Sequence, residues 1–282
     1  MTALAVNGLP APGAAALLAR ARRENFPVAL VLLSRPQRTH LMALYGFARL
    51  ADDIGDEAAG DRFALLGELD ADLGRVFDGG EPLHPVLQRL VPTVRALRLP
   101  ELPFRQLIEA NRRDQQVSRY ASWAELRDYC ALSASPVGRL VLCVFGAATP
   151  ERFAASDAVC TALQLVEHCQ DVAEDLARGR RYLPAEDLAR FGCDENDLRA
   201  PTASPAVCAL VRFEVERARA LLDLGVPLVR SLSGRPRLAI AGFIAGGRAA
   251  ADAIERRGFD VLGGAPRPRR RDLLRRLAAA LR

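Results

Sequence analysis

Two acidic segments hold the residues best suited to chemistry. The first reads Tyr45-Gly46-Phe47-Ala48-Arg49-Leu50-Ala51-Asp52-Asp53-Ile54-Gly55-Asp56-Glu57. The second reads Gln164-Leu165-Val166-Glu167-His168-Cys169-Gln170-Asp171-Val172-Ala173-Glu174-Asp175. In each, two aspartates stand four apart inside an apolar helical pattern: Asp52 with Asp56, and Asp171 with Asp175. Residues at that spacing share one helix face, a turn apart. Like charges so placed repel by about 0.2–0.5 kcal/mol on an exposed helix. Turned inward, an unpaired carboxylate is far more costly. Either both faces are solvated, or a cation sits against them, and hard divalent cations with oxygen ligands fit the second case.

The stripes can be followed residue by residue. Tyr45, Arg49, Asp52 and Asp56 fall on one face, with Asp53 and Glu57 on its flank. Gln164, Glu167, Asp171 and Asp175 form the second stripe, flanked by His168 and Glu174. Magnesium takes one or two carboxylates together with phosphate oxygens and water. Two acidic stripes facing each other could hold several Mg²⁺ ions bridged by a diphosphate. The metals would neutralise a leaving diphosphate and help a C–O bond ionise. The resulting carbocation needs a dry apolar cavity with aromatic faces nearby.

Competing chemistries find less support. A di-iron bundle needs Glu-x-x-His on two helices; Glu81-Pro82-Leu83-His84 matches once, among prolines that mark a turn or helix start. The three histidines, His40, His84 and His168, read as structural. P-loop, dinucleotide-binding, serine-hydrolase and zinc-protease motifs are absent, as are nucleic-acid-binding modules.

The elements that must position these residues read as helices. Strand alternation and hairpin turns are scarce. Helices are expected near 11–23, 36–58, 61–77, 83–97, 102–117, 123–132, 135–148, 150–177, 185–191, 205–231, 236–257 and 270–281. Ser122-Trp123-Ala124-Glu125 reads as a capping box, Thr149-Pro150-Glu151 and Ser204-Pro205 as N-terminal starts, and Gly258 as a stop. Short linkers point to one all-α domain over 1–282, its core about 15–262 and an arginine-rich tail at 263–282.

Half of the 282 residues are hydrophobic, enough for a large core. No stretch is long enough to span a membrane, and Met1 to Pro12 lacks the pattern of a signal peptide, so a cytoplasmic location is expected. The six cysteines lack C-x-x-C spacing and read as buried free thiols. Every basic residue is arginine, a bias that says little about partners. The run Arg267-Pro268-Arg269-Arg270-Arg271 with Arg275-Arg276 could contact an anionic membrane surface or a phosphate; the plainer reading is a solvated terminal helix with its linker.

Together these residues resemble the squalene/phytoene synthase family across most of the chain, from about Arg22 to Phe259. The resemblance rests on Arg49-Leu50-Ala51-Asp52-Asp53-Ile54-Gly55-Asp56, on Tyr129-Cys130-Ala131-Leu132-Ser133-Ala134-Ser135-Pro136-Val137-Gly138, on Gln164 through Asp175, and on Arg180-Arg181-Tyr182-Leu183-Pro184. It implies an all-α isoprenoid-synthase bundle with a central cavity. Asp52, Asp56, Asp171 and Asp175, joined by Glu167, would be Mg²⁺ ligands, and Arg49 and Arg180 would grip diphosphate. Tyr45, Asp53, Gln164 and Tyr182 would line the site, and Asn25 and Phe26 would touch substrate from the first helix.

Three departures stand out. Glu167 replaces a usual Asn, Ala131 replaces a frequent aromatic, and Gly246-Gly247-Arg248 occupies a region that carries tyrosine in some members. The blocks Arg23-Glu24-Asn25-Phe26-Pro27-Val28 and Ser135-Pro136-Val137-Gly138-Arg139-Leu140 look most like the bacterial hydroxysqualene synthases. That branch implies ionisation of presqualene diphosphate, rearrangement and capture by water, with no NADPH. A presqualene diphosphate synthase and a flavin-dependent desaturase-like enzyme would be pathway partners. Head-to-head condensation of farnesyl or longer diphosphates, and a non-catalytic assembly-factor role, remain open alternatives.

Overall fold

Helix signals dominate the folded chain as they do the sequence. The computed structural model describes residues 33–282; Asn25, Phe26 and the helix expected near 11–23 lie outside the described residues. Among the described residues no β-strand forms, and the segments Arg119 and Arg181 meet in a lone parallel bridge. The helices are α1 (Arg35–Asp56), α2 (Arg62–Phe77), α3 (Pro85–Leu97), α4 (Leu102–Asp114), α5 (Trp123–Ser133), α6 (Ser135–Val144), α7 (Pro150–Gln170), α8 (Val172–Ala177), α9 (Ala185–Arg190), α10 (Pro205–Leu224), α11 (Val226–Ser231), α12 (Gly234–Arg256) and α13 (Arg270–Ala280). A short 3-10 turn at Asp197–Arg199 was not expected from the sequence.

The described chain divides into two compact units. One comprises 33–116 and 136–153, the other 117–135 and 154–282. In the first, α1 packs against α2, α3 and α4. Its core is apolar and aromatic: Phe47 of α1 meets Phe104 of α4 edge-on at 5.1 Å, and Phe77 of α2 lies 5.7 Å from the same ring. Burying each such ring contributes about 1.5–3 kcal/mol. Buried Asp72 holds the α2–α3 connection by accepting from the backbone N–H groups of Leu83 and His84, both at 2.8 Å. His84 caps α3 through Nδ1, and His40 pairs with Thr93 at 3.0 Å, so both are structural.

In the second unit, α12 packs against α10, α11 and α13. Two expected long helices are divided. The helix expected over 150–177 bends at Asp171, between α7 and α8. The helix expected over 205–231 is interrupted at Gly225. Pro227, which has no N–H to donate, interrupts the hydrogen-bond ladder there, and a Cβ at Gly225 would collide with Val159 of α7. The terminal helix also differs from a freely solvated one. Arg276 grips buried Asp252 of α12 with Nε at 2.8 Å and Nη2 at 2.6 Å, and Arg256 pairs with Asp272 at 2.7 Å.

Smaller signals fare variously. Ser122 caps α5 by accepting from the Glu125 N–H, but Glu125 bonds back to the N–H of Ala121 rather than Ser122, so the reciprocal box is incomplete. A complete box occurs at Ser34 and Gln37. Gly258 ends α12 at φ 66°. The cysteines are free thiols, but only Cys130, Cys169 and Cys193 are buried; Cys143, Cys160 and Cys208 keep partial exposure.

Candidate functional site

The acidic end of α1 is built by long-range hydrogen bonds from Asn111 and Gln115 and by local ion pairs of Arg49. Arg49 pairs with Asp53 one turn on at 2.8 Å and approaches Glu57 at 3.4 Å. Asp53 is buried beside Arg49. Asp52 accepts from Asn111 Nδ2 of α4 at 3.2 Å. That approach requires Gly55, where an added Cβ would strike the Asn111 amide. Gln115, one turn beyond Asn111, donates to the Gly55 carbonyl at 3.0 Å.

Water reaches the Asp52 side chain, yet the protein packed around it strips much of its hydration. Burial pushes its carboxyl up to about 6; the Asn111 hydrogen bond and Arg49 oppose this, while Asp56 and Asp53 add to it. Asp56 is exposed a turn further on, and Tyr45 is buried at the other end of the stripe.

The second acidic segment runs across the α7–α8 bend. The bend does not break its register: Asp171 N–H donates to Glu167 O at 2.9 Å and Asp175 N–H to Asp171 O at 2.8 Å. Glu167 is exposed, and Gln164, Asp171 and Asp175 are half-buried. Burial raises Asp171, with repulsion from Glu174 adding to it. Asp175 is pushed up to about 7 by burial, then by Asp171 and Glu167; Arg178 and Arg180 oppose it. The structure thus brings Glu167, Asp171, Asp175 and Arg180 into one electrostatic neighbourhood.

Behind this segment lies an aromatic group that spacing alone did not assemble. The segment 118–121 pairs with 181–186: Arg181 N–H donates to Ser118 O, and Ala185 N–H to Tyr120 O, both at 2.9 Å. Tyr182 is thereby stacked on Tyr120 at 5.9 Å and set 5.6 Å from Tyr129. Its other neighbour is His168, stacked at 3.8 Å and 11°. Burial drives the His168 ring down to about 3, so it is a neutral aromatic at ordinary pH. Arg119 locks the arrangement by chelating Glu195 at 2.6 and 2.8 Å. Tyr120, Asn111 and Arg119 carry no signal in the acidic motifs; the Tyr129-Cys130 and Arg181-Tyr182 blocks were the local hints of the aromatic group.

Carboxylates raised by burial and mutual repulsion are what a divalent cation would relieve, and the all-oxygen donor set suits a hard metal. Among the described residues no three acidic, histidine or cysteine side chains converge closely enough to hold a metal unaided. Water and substrate oxygens commonly complete such a shell.

Comparison with known proteins places these features. The profile of the family described as squalene/phytoene synthase matches residues 19–276. The hydroxysqualene synthase of Zymomonas mobilis is 36% identical over 203 residues, 71% of this chain and 67% of that protein. The 15-cis-phytoene synthase of Synechococcus elongatus is 31% identical, covering 84% of this chain and 82% of its own. The crystal structure of squalene synthase HpnC from Alicyclobacillus acidocaldarius superposes with a TM-score of 0.81 at 43% identity, over 87% of this chain and 94% of that one.

Proposed function

The chain belongs to the squalene/phytoene synthase family, and on that premise we propose that it is a hydroxysqualene synthase. It takes presqualene diphosphate, cleaves the C–O bond, lets the cyclopropyl cation rearrange, and captures it with water. The oxygen of that water becomes the hydroxyl, one proton is lost, and diphosphate leaves. The observation that carries this reading is the likeness to hydroxysqualene synthase over about two thirds of both chains. The two compact units are read as parts of one domain, since the family match runs through both.

Mg²⁺ is the proposed metal. Several ions are proposed: Asp52 and Asp56 would hold Mg²⁺ on one acidic segment, and Glu167, Asp171 and Asp175 would hold Mg²⁺ on the other. When bound, it would neutralise the departing diphosphate. The remaining work belongs to the chain. Arg49 and Arg180 supply cationic donors suited to phosphate oxygens, with Asp53 aiming Arg49. Tyr45, Gln164 and, outside the described residues, Asn25 and Phe26 are proposed to orient the substrate. Tyr182 is proposed to act at the site too, and the neutral His168 ring stacked on it adds no cation to compete with the carbocation.

The test is incubation of the purified protein with Mg²⁺ and presqualene diphosphate, without NADPH. Hydroxysqualene is expected. No product there, with farnesyl or geranylgeranyl diphosphate consumed instead, would favour the condensation reading, which the phytoene synthase likeness also supports. The proposed reaction places a presqualene diphosphate synthase upstream and a flavin-dependent desaturase-like enzyme downstream.

A further inference from the structure

The C-terminal helix α13 segregates its charges in an unusual way. Its inner face carries Asp272, Leu273, Arg276, Leu277 and Ala280, and docks on α12. Its outer face carries Arg270, Arg271, Leu274, Arg275, Ala278 and Ala279, all exposed. The helix's one carboxylate, Asp272, is buried and committed to Arg256 at 2.7 Å. The outer face therefore holds only cations and apolar groups. Arg269, just before it, is exposed too, and among the described residues Arg269, Arg270 and Arg271 make no ion pair. Leu274 stands among them 67% exposed.

A helix surface that merely faces water usually mixes both charge signs. Arg275 approaches Asp252 at 3.5 Å and Asp272 at 3.7 Å, but Arg269, Arg270 and Arg271, with the exposed Leu274, complement an anionic interface that is also apolar below its surface. Beside this face lies a concavity of about 610 Å³, lined by Arg256, Arg271, Arg275 and Arg276 and three carboxylates. Asp252, the most heavily used of those carboxylates, is already held by Arg219 and Arg276. Among the described residues no helix is long and apolar enough to cross a membrane.

We infer that the outer face of α13, with Arg269, docks the protein onto the surface of a bilayer bearing anionic phospholipid headgroups. The arginines meet the headgroup phosphates and Leu274 enters the boundary below them. The proposed function gives this contact a use, since its substrate and product are oily, but the surface argument stands without it.

The test is co-sedimentation of the full-length protein with phosphatidylglycerol and with phosphatidylcholine vesicles. Binding is expected to the first and to weaken as salt rises. The variant R269Q/R270Q/R271Q should bind about a hundredfold more weakly, taking about 1 kcal/mol per arginine near an anionic surface. L274S should bind about tenfold more weakly at unchanged charge. Arg267 stays wild type, because Pro266 beside it is tied to Gln170 next to Asp171. Turnover of detergent-dispersed presqualene diphosphate should match wild type in both variants, so loss of docking is read separately from loss of catalysis. Each variant's thermal midpoint reports its folding, and R271Q alone serves if the triple variant unfolds. Equal binding to both vesicle types, undiminished binding by the variants, or displacement by duplex DNA or inorganic phosphate beyond the effect of matched salt would each overturn the proposal.

Discussion

Asp175 offers the sharpest handle on the candidate metal site. Its carboxyl ionises at about 7 in the folded protein against an ordinary 3.8, because burial and the charges of Asp171 and Glu167 disfavour the anion. The folded state thus holds this proton more tightly than the unfolded state, and unfolding between those pH values releases it. The metal-free protein should lose stability from this group as pH rises through that window. Asp175→Asn should remove that slope, seen as a thermal midpoint less sensitive to pH. Metal affinity should run the other way, weakening as pH falls below about 7 and again near 6, where Asp52 takes up its proton; calorimetric titration would read it. Asp52→Asn and Asp171→Asn should each cut hydroxysqualene formation by about 100-fold or more while leaving far-ultraviolet dichroism intact, and unchanged turnover in both would refute the metal assignment. Glu167→Asn should lower the Asp175 titration midpoint in carboxyl NMR, and retained activity would remove Glu167 from the ligand set.

At the scale of elements, glycines separate local from tertiary causes. Gly246 and Gly247 are neighbours on α12, but a Cβ on Gly246 would meet nothing, while one on Gly247 would press Leu163 at 2.7 Å. Gly246→Ala should stabilise by up to about 1 kcal/mol through helix propensity, and Gly247→Ala should cost about 1–3 kcal/mol; denaturant midpoints would tell them apart. Gly55→Ala should push Asn111 away from Asp52, lowering turnover more than stability. These examples also mark what could be read from the chain alone. The paired aspartates were legible because four-residue spacing is a local property of a helix, and most helix starts were legible because Ser, Thr and Pro announce them. The Asn111–Asp52 bond was not, since it arises where distant elements touch, whereas the break at Gly225 did have a local sign in Pro227, which the expected helix over 205–231 passed over. The bend at Asp171 carries no proline or glycine to betray it. Nor does alternation of residue types disclose that His168 would stack on Tyr182, because their meeting depends on how 118–121 pairs with 181–186.

For the whole molecule, the second unit contains a buried ionic cluster remote from the acidic motifs in sequence. Glu214 is fully buried, and Arg217 bridges it at 2.7 Å to Asp187 at 2.9 Å. Burial, opposed by Arg217 and reinforced by Asp187, raises Glu214 to about 8 against an ordinary 4.5. Its folded form therefore keeps the proton that its unfolded form would release, and stability should decline as pH rises between those values. Glu214→Gln should flatten that decline in thermal melts, whereas Glu214→Ala should destabilise at every pH by opening a buried space beside Arg217. The same Arg217 guanidinium lies 4.7 Å over the ring of Trp123, and this is the chain's single tryptophan. Indole emission is consequently an optical signal from one of the two units alone, while circular dichroism sums helices from both. Recording the two together through a denaturant titration would show by coincidence or separation of the curves whether the halves of this enzyme unfold as one cooperative body.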